Sequence, residues 1–271
     1  MSAILLDGKN EALKIRAELK EEISRQGLKP SLAVILVGSD PASLLYVNLK
    51  EKAASEIGIK VLRFDLSATI TETELLEKIR GLNADATVNG ILVQLPLPEQ
   101  FNPNAAIVAI DPAKDVDGFH PKNMTGLLSP GISGPLELIK KTGVELIGKH
   151  AVVVGNSGVF TQSFCDALRA GGVHAEPTYP ENAALIKKAD LLVVAVGRPV
   201  FIKPEMVKAG AIVIDIGTNK VDGKTVGDVS PEVAQVALFM TPVPGGVGPM
   251  TVAMLLKNVV ELYKQQTPPS R

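Results

Sequence analysis

Leu32-Ala33-Val34-Ile35-Leu36-Val37-Gly38-Ser39-Asp40-Pro41 decides how the chain is read. The run from Leu32 to Val37 has no polar face to offer water, which is the pattern of a strand buried on both sides. Gly38 ends it. Asp40 is then a good N-cap and Pro41 suits the first helical turn, so the spacing predicts a strand handing directly to a helix. Within that helix Tyr46 and Lys50 are four apart and share a face, with Ser43 two turns before the lysine. A lysine near the carboxyl end of an α/β strand is well placed to meet a small molecule. The pair reads equally as a solvated lysine beside a half-buried tyrosine, and these residues alone leave both readings open.

Composition narrows the class. A chain of 271 residues has room for two domains or one large one. Hydrophobic residues at 46%, aromatics at only 4% and 24 glycines fit parallel sheets sandwiched by helices. A net charge of −1 without a basic block gives no reason to expect nucleic acid or an anionic membrane as partner. Cys165, the single cysteine, excludes an intrachain disulfide and a cysteine-based zinc site, which fits a reducing compartment. Charges at Asp7, Lys9 and Glu11 argue against a secretory leader, and no apolar run is long enough for a bilayer. The expectation is a soluble cytoplasmic protein.

Around the opening stretch, Asn10–Arg25 has helical period, with Ala12, Ile15, Leu19 and Ile23 on one face. A second strand is expected over Lys60–Leu66. A helix follows from about Thr71, where Thr71-Glu72-Thr73-Glu74 offers a capping box. Gly90–Leu95 reads as a third strand, broken by Pro96 and Pro98, with the polar Gln94 near its end. Lys114-Asp115-Val116-Asp117-Gly118-Phe119-His120-Pro121 pairs two carboxylates across one valine ahead of a turn-forming glycine. As a metal signal this is weak, because no third acidic or imidazole ligand lies nearby. His120 reads as a loop histidine. The βα alternation pauses here, placing a domain boundary near residues 119–123.

The alternation then restarts. His150–Val154 is a strand running into Gly155-Asn156-Ser157-Gly158 and a helix to about Ala170, an arrangement in which amide N–H groups and a helix dipole can hold a phosphate. Two of the three glycines of a dinucleotide fingerprint are present. Further strands at Val173–Pro177, Leu191–Val196 and Ala211–Ile216 complete an expected four-strand parallel sheet. Thr241–Thr251 packs three prolines and three glycines into a shaped loop, and Pro249 opens a helix, Met250–Lys264, expected to return to the first domain.

Tyr46…Lys50, Gln94-Leu95-Pro96-Leu97-Pro98, Lys114-Asp115-Val116-Asp117-Gly118, Ile214-Asp215-Ile216-Gly217-Thr218-Asn219, Gly227-Asp228-Val229 and Pro242-Val243-Pro244-Gly245-Gly246-Val247-Gly248-Pro249-Met250-Thr251 occur in that order. Together they resemble the bifunctional methylenetetrahydrofolate dehydrogenase/methenyltetrahydrofolate cyclohydrolase (FolD) family over nearly the whole chain. The resemblance implies an α/β fold of two domains. One is a βα folate domain, residues 1–120 plus 249–271; the other is a Rossmann-like nucleotide domain, 121–248. It implies oxidation of 5,10-methylenetetrahydrofolate with a nicotinamide, then hydrolysis of the methenyl product to 10-formyltetrahydrofolate, in a homodimer. Lys50 is implied as the catalytic lysine, Gln94 as its hydrogen-bond partner and Asp117 as the acceptor for the pterin amide and amino groups. Ser43, Tyr46, Pro244, Gly245, Gly246, Gly248 and Pro249 are implied on the substrate side. Gly155, Asn156, Ser157, Gly197, Gly217 and Thr218 are implied on the cofactor side, and no metal is implied.

The departures fall on the nucleotide side. The family's Gly-Arg-Ser-x-x-Val-Gly-x-Pro turn is Gly155-Asn156-Ser157-Gly158-Val159-Phe160-Thr161-Gln162-Ser163 here, and its His-Ser/Arg-x-Thr pattern is replaced by Tyr179-Pro180-Glu181-Asn182. The stretch ahead of the linking helix, usually Pro-Cys-Thr-Pro-like, reads Leu128-Ser129-Pro130-Gly131-Ile132-Ser133-Gly134-Pro135. NADP is the family expectation, but Asn156 and Glu181 stand where basic groups would meet a 2′-phosphate, so NAD is plausible. Lys187, Lys188 and Arg198 are the remaining cations that could reach it. Two alternatives stay open: a cyclohydrolase with a weak or lost dehydrogenase step, and a non-catalytic nucleotide-sensing module.

Overall fold

The computed structural model describes residues 2–267. In chain order the elements are β1 (Ile4–Leu5), α1 (Gly8–Gln26), β2 (Ser31–Val37), α2 (Pro41–Glu56), β3 (Lys60–Leu66), α3 (Glu72–Ala84), β4 (Gly90–Val93), α4 (Pro103–Ala109), α5 (Pro130–Lys141), β5 (His150–Gly155), α6 (Gly158–Ala170), β6 (His174–Thr178), α7 (Ala183–Ile186), β7 (Leu191–Ala195), β8 (Ile212–Asp215), β9 (Asn219–Val221), β10 (Lys224–Val226), β11 (Phe239–Met240) and α8 (Val247–Gln266). They form two compact units, Leu13–Pro130 with Val252–Arg271, and Met1–Ala12 with Gly131–Thr251.

The first of these units is built on a parallel sheet ordered β3-β2-β4, with Ile35 opposite Phe64 on one side and Val93 on the other. All seven residues of β2 are buried. Because side chains alternate across a strand, Leu32, Val34 and Leu36 enter one core with Leu255, Leu256, Val259 and Val260 of α8. Ala33, Ile35 and Val37 enter another, with Leu75 and Ile79 of α3. Each of the Leu, Ile and Val side chains among these contributes roughly 1.5–3 kcal/mol on burial. The C-terminal helix therefore returns to the first sheet, as the sequence predicts. Asp40 caps α2, its carboxylate accepting from the Ser43 N–H, and Thr71 and Glu74 complete the capping box of α3.

The other unit has a six-stranded parallel sheet, β1-β11-β8-β7-β5-β6. The four expected strands are its β5, β6, β7 and β8. Two further strands, β1 and β11, extend it beyond the expected four: Ile4 pairs with Phe239, which pairs with Ile212. This pairing also moves the first residues of the chain. They were expected in the folate domain, but β1 hydrogen-bonds to the second sheet, so residues up to Ala12 group with it. The change between units after Pro130, rather than near 119–123, follows from Asn258 of α8, which donates to the carbonyls of Val116 (2.9 Å) and Leu128 (3.1 Å) and holds that loop to the first unit. The expected domain ends at residues 1 and 268–271 lie outside the described residues.

Candidate active site

Lys50 stands on α2, and Gln94 follows the last residue of β4, which is paired to β2. The Lys50 Nζ donates to Gln94 Oε1 at 2.9 Å. Gln94 Nε2 donates to the Leu95 carbonyl at 2.5 Å, so the amide is oriented with its oxygen toward the lysine. Burial lowers the Lys50 pKa, opposed by the negative charge of Asp117. Burial likewise raises Asp117, to about 6; Lys50 pulls it down and Asp115 pushes it further up. Low local dielectric thus favours the neutral form of each, while their mutual attraction favours the charged forms.

The Lys114–Gly118 stretch divides its labour residue by residue. The Lys114 Nζ donates to the carbonyls of Leu82 (3.1 Å), Asn83 (2.8 Å) and Asp85 (2.8 Å), closing the C-terminus of α3. Asp115 is buried and spends its carboxylate on the N–H groups of Asp117, Gly118 and His120, at 2.8–3.1 Å. Val116 is fully buried in the core. Gly118 adopts a left-handed φ of 66°, and a Cβ there would stand 3.0 Å from the Ser129 nitrogen. Asp117 is half-buried, with no hydrogen bond to its carboxylate among the described residues. Tyr46 is 41% exposed on α2, while Ser43 is buried and its hydroxyl has no partner among the described residues. An unsatisfied buried hydroxyl is costly, and a ligand oxygen or nitrogen would relieve it.

In the second unit the chain runs from β5 to β6 on one side and crosses back to β7 on the other, so a topological switch point lies at the carboxyl ends of β5 and β7. Gly155 ends β5 at this point; a Cβ would meet Thr161 Cγ2 at 2.9 Å and the Ala195 carbonyl at 3.1 Å. Ser157 caps α6, its hydroxyl accepting from the Phe160 N–H at 3.3 Å. Asn156 Nδ2 donates to the Val196 carbonyl at 2.6 Å, bridging the turn after β5 to the end of β7. Glycine at the turn, a capped helix N-terminus and a bridged switch point fit a dinucleotide.

Beneath this turn lie two buried aspartates. Asp228 accepts from the N–H groups of Val196 (2.6 Å) and Gly197 (2.9 Å) and from Asn219 Nδ2 (2.8 Å). Asp215 accepts from the N–H groups of Gly217, Asp228 and Val229 at 2.9–3.1 Å. Burial pushes Asp215 up to about 7 despite those donors. Gly217 packs directly on the Asp228 carboxylate and Gly227 on that of Asp215, so any side chain at either would displace a carboxylate. The Val196 peptide is thereby held from both ends, by Asp228 at its N–H and Asn156 at its carbonyl.

Residues 6–117 match the tetrahydrofolate dehydrogenase/cyclohydrolase catalytic domain, and residues 130–267 match the NAD(P)-binding domain of the same family. The chain belongs to the tetrahydrofolate dehydrogenase/cyclohydrolase family. It is 49% identical to the bifunctional protein FolD of Halalkalibacterium halodurans, over 98% of this chain and all of that one. Among solved structures it resembles the bifunctional FolD enzyme of Campylobacter jejuni, with a TM-score of 0.93 and 42% identity over 97% of this chain and 99% of that one. It also resembles FolD of Trypanosoma brucei complexed with NADP cofactor and inhibitor, with a TM-score of 0.92 and 33% identity over 99% of this chain and 100% of that one.

Within this tetrahydrofolate dehydrogenase/cyclohydrolase chain, the structure brings Lys50, Gln94 and Asp117 together on the first unit, with Ser43 and Tyr46 on the same helix as the lysine. Pro244, Gly245, Gly246, Gly248 and Pro249 belong to the second unit, where the Gly245 carbonyl accepts from the Lys9 N–H at 2.8 Å and α8 begins at Val247. Gly155, Asn156, Ser157, Gly197 and Gly217 cluster at the ends of β5, β7 and β8, with Thr218 next in the chain. Sequence reasoning gave no role to Asp215, Asp228 or Asn219. A lone aspartate closing the apolar strand Ile212–Asp215 was the available signal.

Proposed function

We propose that this chain oxidises 5,10-methylenetetrahydrofolate to the methenyl form with a nicotinamide cofactor and hydrolyses that product to 10-formyltetrahydrofolate, in one-carbon metabolism. The observation that carries the reading is the Lys50–Gln94 hydrogen bond beside Asp117, with burial pressing both charged groups toward neutrality. A lysine depressed by burial exchanges protons nearer neutral pH than a solvated one. A cationic substrate beside it lowers its proton affinity further. Neutral Lys50 would then take a proton from the water that attacks the methenyl carbon and, as the resulting ammonium, pass that proton to the folate nitrogen as the ring opens. Gln94 holds the amine through its oxygen. Ionised Asp117 would accept from the adjacent pterin amide and amino groups, a geometry suited to one carboxylate. The aromatic face of Tyr46 and the unpartnered Ser43 hydroxyl would complete the substrate contacts, with Pro244–Pro249 as the further substrate-side segment.

A bound nicotinamide supplies the hydride acceptor. Gly155, Asn156, Ser157, Gly197, Gly217 and Thr218 would hold the dinucleotide, with pyrophosphate at the N-terminus of α6. NADP is the family expectation and NAD is accepted as well, and the active species is a homodimer. Incubating the purified protein with methylenetetrahydrofolate and each nucleotide in turn, while following methenyl absorbance, tests the reading. Methenyl formation with at least one nucleotide is expected; hydrolysis of added methenyltetrahydrofolate without any such formation would leave a cyclohydrolase alone.

A further inference from the structure

Glu181 lies in the loop after β6 and Arg198 in the loop after β7. Those strands flank β5, so a contact between the two loops spans the carboxyl end of β5 and the turn that caps α6. Such a contact exists: Arg198 Nη2 donates to Glu181 Oε1 at 3.1 Å, with the side chains 47% and 67% exposed. The guanidinium also lies over the Phe201 ring, 5.2 Å from its centroid, which limits its orientation. In a doubly wound nucleotide fold the adenosine ribose comes to the end of the strand that here is β6. An acid there binds the 2′-hydroxyl, and an arginine nearby accommodates a 2′-phosphate. Here both groups are present, and each is already the other's partner.

From this geometry we propose that Arg198 is the specificity-determining residue for the 2′-phosphate, supplied by the loop after β7 in place of a basic residue after β6. Glu181 is its internal competitor. The proposal rests on the nucleotide-binding reading above. A 2′-phosphate dianion takes the guanidinium from Glu181, offering more charge and more acceptor oxygens in a bidentate arrangement. The ribose diol of NAD instead leaves the pair formed and uses the Glu181 carboxylate as acceptor. Because Arg198 must give up one anion to take another, discrimination is modest, with NADP bound less than about tenfold more tightly than NAD. Lys187 is turned elsewhere, its Nζ donating to the Glu205 carbonyl.

The experiment is titration of NADP and NAD, at two ionic strengths, into wild type, Arg198→Ala, Arg198→Lys and Glu181→Gln, with melting temperatures to establish folding. Both side chains are on the surface, so all four proteins should fold. Arg198→Ala should shift the affinity ratio about tenfold or more toward NAD and remove the excess salt sensitivity of NADP binding. Arg198→Lys should fall between, having charge without the planar fork. Glu181→Gln should shift the ratio severalfold toward NADP. A ratio within twofold of wild type in Arg198→Ala overturns the assignment. Failure of wild type to bind either nucleotide removes the nucleotide-binding reading itself, a distinct result.

Discussion

Asp117 and Asp215 are both pushed by burial far above the ordinary carboxylate range, to about 6 and about 7. Their surroundings differ in one respect. Asp215 already accepts three backbone N–H groups, and its neighbour Asp228 accepts two more and a side-chain amide. Asp117 has a cation nearby but no hydrogen bond to its carboxylate among the described residues. A raised carboxylate whose acceptor sites are filled is a fastener, and one whose sites are open keeps the capacity to accept from a ligand. The shift alone does not separate the two cases; the donors do.

The sharpest break of that contrast is at Lys50. Lys50→Met should cut methenyl hydrolysis by about 10²–10⁴ while folate still binds in a direct titration. A residual rate above about a tenth, under ~1.4 kcal/mol of barrier, would end its proposed role. On the fastener side, Asp228→Ala strands the buried Val196 N–H, at a cost of about 1–3 kcal/mol, and removes the acceptor of two part-buried donors, the Gly197 N–H and Asn219 Nδ2. Chemical denaturation should show a loss of about 2 kcal/mol or more, and a change below about 1 kcal/mol would mean the clamp is dispensable. Asp117→Ala should leave denaturation nearly unchanged and raise the folate KM, by the value of charged hydrogen bonds worth roughly 1.5–3 kcal/mol each. Unchanged folate affinity would reduce Asp117 to a loop residue.

The smallest effects are in pH. Asp117 is ionised only above about 6, so folate affinity should rise as pH passes from 5 to 7 and then level, and Asp117→Asn should lose that rise. For Asp215 the readout is stability. Its folded pKa of about 7 exceeds the unfolded value of ~3.9. The native state therefore binds the proton more tightly, and this contribution is full below about pH 4 and lost as pH rises through 7. Asp215→Asn should flatten that part of the stability profile; an unaltered slope would mean the carboxylate titrates normally.

What could be read from the sequence follows the range over which each signal acts. The strand and helix on either side of Asp40-Pro41, and the box at Thr71 and Glu74, are local and stand where expected. Asn102-Pro103 carries the same cap signal for α4, but its seven residues are too few to display a helical period. β1 and β11 are two residues each; no periodicity exists in two residues, and their pairing depends on partners over two hundred positions apart. Lys50, Gln94 and Asp117 stand out in the sequence through their motifs, and the hydrogen bond between the first two joins segments 44 positions apart. The hold on Val196 does not stand out, because it joins residues from three separate segments. Glu181 and Arg198 were each visible, but their pairing across 17 positions depends on the strand order of the second sheet.

The core on one face of β2 is closed by Leu255, Leu256, Val259 and Val260, and Asn258 secures the carbonyls on either side of the Asp117 loop. On the ribosome these helical residues emerge after the whole span Gly131–Thr251. At about 5–20 residues per second that interval is on the order of ten seconds. Throughout it the nascent chain carries Lys50, Gln94 and Asp117 but lacks the helix that seals their scaffold, with Leu32, Val34 and Leu36 missing those partners. Synthesis therefore presents the later sheet with every strand in hand while the earlier one still waits, and the half of the protein translated first is the half whose last structural piece emerges last.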